Sequence, residues 1–160
     1  MASGAEEIIR KVASDLRDKL DLRSYSLEIT YFRGPILLGV FVPPDSKHGP
    51  HIDINGDFDL LLLISPADAE AYLVYMVSHE MRHFWQWTMG WDILSDEAED
   101  DADEFAGEYV ENWFERKGEL FDSRDILYIG AELDRLLRGA EVAYTMTRIV
   151  FAAEADHEKS

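Results

Sequence analysis

The sequence predicts an α+β fold: a small, mostly antiparallel sheet packed on one long helix, a second helix beside it, and further helix at the C-terminal end. Three observations lead there. Residues 25–64 carry short apolar runs punctuated by Gly, Pro and Asn-Gly, residues 65–90 hold one uninterrupted amphipathic repeat, and residues 96–117 hold another. At 160 residues the chain can bury one core and is expected to form one domain. Its parts are a first helix with the sheet (1–64), the paired helices (65–117) and a C-terminal helical part (118–160).

The elements follow in order. Glu6 to Leu20 places Ile8, Ile9, Val12, Leu16 and Leu20 at helical spacing. Tyr25 to Tyr31 alternates, with Tyr25, Leu27, Ile29 and Tyr31 on one face of a half-buried strand. Arg33-Gly34-Pro35 breaks it, and Ile36 to Val42 reads as a second strand ended by Pro43-Pro44. Ile52–Ile54 and Phe58–Ile64, either side of Asn55-Gly56, read as a hairpin. Ser65-Pro66-Ala67-Asp68 starts the long helix, with Ser65 as N-cap, Pro66 at the first position and Asp68 as capping-box partner. No Gly or Pro interrupts it before Gly90, and Leu73, Met76, Val77, Glu80, Phe84 and Trp87 form one buried stripe. Ser95 caps the next helix, Asp96 to Lys117, whose apolar stripe is Ala102, Ala106, Val110, Trp113 and Phe114, with Gly118 after it. Beyond Asp122-Ser123 one long helix, or two broken at Gly139, should run to about Glu154, with Ile126, Ile129, Leu133 and Leu137 facing the core.

The chemistry sits in His79-Glu80-Met81-Arg82-His83. Histidines four apart on a helix lie on one face, one turn apart, where both imidazoles can grip one metal ion. Glu80 then stands beside the metal, in the place of a general base for metal-bound water. The competing reading is a core helix whose histidines find ordinary hydrogen-bond partners. Extending the next helix's apolar stripe backwards lands on Asp103 and Glu99, two carboxylates on a face expected to be buried. Such a pair calls for a metal or a donor. Glu99 is the candidate third ligand, and Asp103 the candidate acceptor for the free ring N–H of a ligating histidine. Taken without the upstream motif, they read instead as an acidic helix N-terminus favoured by the helix dipole.

These residues resemble a known family. His-Glu-x-x-His followed by a helix bearing Glu-x-x-Ala-Asp is similar to the gluzincin metallopeptidases, and Glu99-Asp100-Asp101-Ala102-Asp103-Glu104-Phe105-Ala106 looks closest to minimal members, the minigluzincins and ImmA/IrrE-type peptidases. Asp101 stands where those often have Glu. The resemblance covers about Ile52 to Trp113. It implies zinc held by His79, His83 and Glu99, with Glu80 as base and Asp103 supporting a ligand. It also implies a peptide or protein substrate lying along a strand edge, for which His51-Ile52-Asp53-Ile54 is the candidate.

Composition narrows the alternatives. The chain has no cysteine, which leaves histidine and carboxylate as the metal ligands. A formal net charge of -18 argues against nucleic-acid binding, since phosphates would be repelled. The same charge fits adaptation to high salt, and it fits an acidic interaction protein such as a DNA mimic, which leaves the paired motifs unexplained. No signal peptide or bilayer-spanning run is evident, so a cytoplasmic, soluble protein is the expectation. Tyr109, Tyr128 and Tyr144 are candidate oxyanion donors, each balanced by the plainer role of a packed tyrosine. His48, His51 and His157 lack ligand spacing, although His51 has a place near the expected cleft. The deciding quantity is the distance from the Glu99 carboxylate to the two imidazoles.

Overall fold

A computed structural model describes residues 2–140 and 146–151. The architecture is α+β. Helix α1 (Gly4–Lys19) precedes strands β1 (Leu27–Phe32), β2 (Leu38–Val42) and β3 (His51–Asn55). Helices α2 (Phe58–Ile64), α3 (Pro66–Thr88), α4 (Asp96–Glu115) and α5 (Ile126–Arg138) follow, and strand β4 (Met146–Phe151) comes last. The sheet order is β2-β3-β1-β4, with β1 and β3 parallel and the two outer pairs antiparallel.

The sheet offers one face to the core. Leu27, Ile29 and Tyr31 from β1, Phe41 from β2 and Ile52 and Ile54 from β3 pack with Ile9, Val12 and Leu16 of α1 and Leu73, Val77 and Phe84 of α3. Period-two alternation on the strands thus meets the three–four stripe on each helix, as the sequence pattern requires. Helix α1 starts at Gly4, two residues earlier than Glu6, because Ser3 and Glu6 form a reciprocal capping box. Ser95 caps α4 as expected, accepting from the Ala98 N–H at 3.1 Å.

Four expectations are corrected. Phe58–Ile64 is a helix, not a strand. Asp57 caps it by accepting from the Leu60 N–H at 3.0 Å, and the run is leucine-rich rather than β-branched, burying Phe58 and Leu61 three apart. Gly56 belongs to this turn: its φ is +129° and a side chain there would meet Leu37 at 2.5 Å. The C-terminal segment is not helical throughout. Helix α5 ends at the predicted break, Gly139, and Thr147, Ile149 and Val150, β-branched residues, lie in β4 beside β1. Asp68 completes no capping box, since the Ser65 side chain makes no cap hydrogen bond; Pro66 alone marks the start of α3. Finally, β3 is not a sheet edge. It lies between β2 and β1, so among the described residues the sheet edge beside α3 is β2.

No helix among the described residues is long and apolar enough to cross a membrane.

Candidate metal centre

Helix α3 supplies three of the site's residues in five positions because they fall on or beside its buried stripe. Glu80 and His83 are buried and His79 is nearly so. The two imidazoles stand edge to face, with ring centroids 4.8 Å apart. Helix α4 crosses alongside, and Ala98, Ala102 and Ala106 are fully buried on its inner side. Glu99 is not buried among them. Its side chain and that of Asp103 keep about half their surface, so the face predicted to be buried is the rim of a cleft.

From that rim Glu99 reaches both histidines. His79 Nε2 lies 3.0 Å from Glu99 Oε1 and His83 Nε2 lies 3.2 Å from Glu99 Oε2. Atoms bound about 2.0 Å from a tetrahedral zinc stand roughly 3.3 Å apart, so each of these two nitrogen–oxygen separations, taken singly, is within a few tenths of an ångström of that between two ligands of one zinc. Asp103 takes a different place from the one expected. Its Oδ1 is 2.9 Å from His79 Nε2, the same nitrogen that faces Glu99. The other ring nitrogen, Nδ1, faces Glu80 Oε2 at 2.8 Å. Asp103 therefore does not accept a remote ring N–H; it stands as a second carboxylate at the ligand-facing nitrogen. His79, Glu80 and His83, and separately His79, Glu99 and Asp103, can each bring ligand atoms within 4.8 Å of one another.

The proton inventory is the informative part. His79 Nδ1 and His83 Nδ1 each face an oxygen acceptor, Glu80 and Gln86, at 2.8 Å. Both Nε2 atoms face carboxylate oxygens as well. A neutral imidazole carries one proton, so each ring has one lone pair aimed at an acceptor. Two extra protons, or one divalent cation, relieve both. His79 shows the strain: burial works against its charged form, yet its hydrogen bond to Glu80 and the charges of Glu80, Glu99 and Asp103 outweigh burial and push its pKa up to about 9.

Glu80 is tied to the sheet edge. Its Oε1 accepts from the Phe41 N–H of β2 at 2.7 Å. Gly39, two residues back on the same side of the strand, makes this approach feasible: a side chain there would meet Met76 at 2.6 Å and Glu80 at 3.3 Å. The cleft, about 290 Å³, runs from Leu38 and Gly39 across His79 and Glu80 to Asp103 and Leu127 of α5.

Other candidates fall elsewhere. Tyr109 is buried and donates to Asp15 at 2.6 Å, and Tyr128 is exposed and lines none of this cleft. Tyr144 and His157 lie outside the described residues. His51 sits on the opposite side of β3 from buried Ile52 and Ile54, 3.8 Å from Asp53. The tyrosine that does reach the site is Tyr75, whose hydroxyl donates to Asp103 at 3.0 Å and whose ring lies 5.8 Å from that of His79. Its signal was in the sequence: Tyr75, His79 and His83 step by four along one helix face. Gln86, three residues after His83 on the same helix face, was also missed.

No family model, curated protein or solved structure matches this chain.

Proposed function

We propose that the protein is a zinc-dependent peptidase, with His79, His83 and Glu99 as ligands and Glu80 as general base. The observation that carries this reading is the convergence of both Nε2 atoms on the Glu99 carboxylate at 3.0 and 3.2 Å while every ring nitrogen faces an acceptor. That donor set, two imidazoles and a carboxylate without thiolate, suits zinc in an open, catalytic site. Zinc would supply Lewis-acid polarisation of a water and of the scissile carbonyl. Glu80 takes the proton of the attacking water and passes it to the departing amine. The Phe41 N–H holds one oxygen of that carboxylate, so its direction is set by the strand rather than by solvent. The outer edge of β2 beside the cleft, apart from the Phe41 N–H that holds Glu80, offers an extended peptide backbone hydrogen bonds, a role earlier expected of β3.

A second reading has its own support. Asp103 Oδ1, 2.9 Å from His79 Nε2, is placed to fill the fourth coordination position, which would make a closed site that holds zinc without turnover. Glu80→Gln separates the two. The peptidase reading expects one zinc per chain in both forms by metal analysis and a fall in peptide hydrolysis of about 10²–10⁴-fold in the variant. Equal hydrolysis in the variant would remove Glu80 as base. A chain that takes up no zinc on reconstitution would remove both readings and leave the acidic interaction protein.

A further inference from the structure

Gln86 is a fully buried polar side chain three residues after His83, and its orientation follows from its partners. Its Nε2 donates to the Ala98 carbonyl and to Asp101 Oδ2, each at 2.8 Å. Both are acceptors only, so flipping the amide would set its oxygen against two oxygens. Its Oε1 is therefore the atom 2.8 Å from His83 Nδ1, and that nitrogen must carry the proton. Nε2 of His83 is left as the lone-pair atom facing Glu99. Asp101 is itself held by Arg82 through bonds of 2.7 and 3.1 Å, and the Arg82 guanidinium lies over the Trp85 ring at 3.9 Å and the Phe105 ring at 4.7 Å.

We propose that Gln86 is a positioning residue for the metal centre, fixing His83 in its Nδ1–H tautomer while gripping α4 on both sides of Glu99. The second half of this role follows from the same bonds. Ala98 and Asp101 flank Glu99 in the chain, so one amide that ties both to α3 sets the height of Glu99 opposite His83. Tautomer and third ligand are thus set by a single side chain, anchored by the Arg82–Asp101 pair. The inference rests on the zinc reading only for its consequence on affinity; the placement of the proton stands on the metal-free protein.

The test is Gln86→Leu, which keeps volume and removes all three bonds. Wild-type protein should show a slowly exchanging His83 Nδ1–H in nitrogen-15 spectra of the ring, with or without zinc. The variant should lose that protection, and its zinc affinity should fall about 10–100-fold. Either a wild-type ring in the metal-free protein that carries a proton on Nε2 and none on Nδ1, or undiminished zinc affinity in a folded variant, overturns the proposal. Should Gln86→Leu fail to fold, Asp101→Asn replaces it, removing the charge that polarises the Gln86 amide while keeping an acceptor. A smaller loss of affinity and a shifted Nδ1–H resonance are then expected, and no change in either overturns the proposal. Wild-type protein that binds no zinc would remove the peptidase reading, while the position of the His83 proton would still decide the role of Gln86.

Discussion

His79 and His83 lie one turn apart on the same helix and are covered to a similar degree, with side-chain exposures of 12% and 9%, yet their surroundings differ in kind. Behind His83 stands a neutral amide whose every hydrogen-bonding atom is used. Around His79 stand three carboxylates, Glu80, Glu99 and Asp103, at 2.8 to 3.0 Å. Burial does not separate the two rings; their partners do. The inner half of the site has the features of a fixed strut, built from buried groups that satisfy one another. The outer half concentrates negative charge where the cleft opens, which is where the zinc-peptidase reading puts the cation and the substrate.

Among the described residues Glu99 faces both histidines, so in the zinc reading its loss has the largest expected effect on metal binding. Glu99→Gln keeps the shape but removes the charge. Its zinc affinity should fall by more than the 10–100-fold typical of groups that only support a ligand, as measured by competition with a chromophoric chelator. A loss within that lower range would place Glu99 among the supporting groups and promote Asp103 to third ligand.

Gly39→Ala acts on the outer half alone. The added methyl presses on Met76 and on the Glu80 stem, and overpacking of this kind costs about 1–3 kcal/mol. Turnover should fall while zinc stoichiometry and the His83 ring signals stay as in the unsubstituted chain. If zinc were lost together with activity, the two halves would not be separable and the contrast between them would fail.

The same contrast explains what could be read from the sequence. The helices that carry the site were legible because period carries them: α3 and α4 follow three–four spacing, which brings Glu99 to 3.0 and 3.2 Å from His79 and His83. What was misread depends on contacts distant in the chain. Leu60 to Ile64 is apolar in a way that suits strand or helix, and only the Asp57 cap and packing against α1 and α3 decide for helix. The edge position of β2 depends on β3 pairing in parallel with β1, which no local pattern encodes. Asp103 was expected to accept the free ring N–H of a ligating histidine; which ring and which nitrogen it faces depends on Glu80 holding His79 Nδ1.

The smallest expected effect sharpens the comparison by moving it away from the site. Tyr75 in the cleft and Tyr31 and Tyr109 in the scaffold each donate to a carboxylate, Asp103, Asp59 and Asp15 respectively. Burial, reinforced by the neighbouring acid, holds all three phenols well above their ordinary pKa of 10. A raised folded-state pKa contributes stability that is fully present below the unfolded value, near pH 10, and is lost as pH rises through the folded value. These three phenols should therefore contribute no pH dependence to chemical denaturation below about pH 10 and a decline above it, of at most about 1.4 kcal/mol per pH unit for each tyrosine, separate from the earlier loss between about pH 6.5 and 9 that the raised His79 brings. Tyr109→Phe should make that decline shallower without changing zinc affinity, because Asp15 is on α1, away from the metal centre. An alkaline limb of unaltered slope in that variant would show that Tyr109 ionises as readily in the fold as in the open chain.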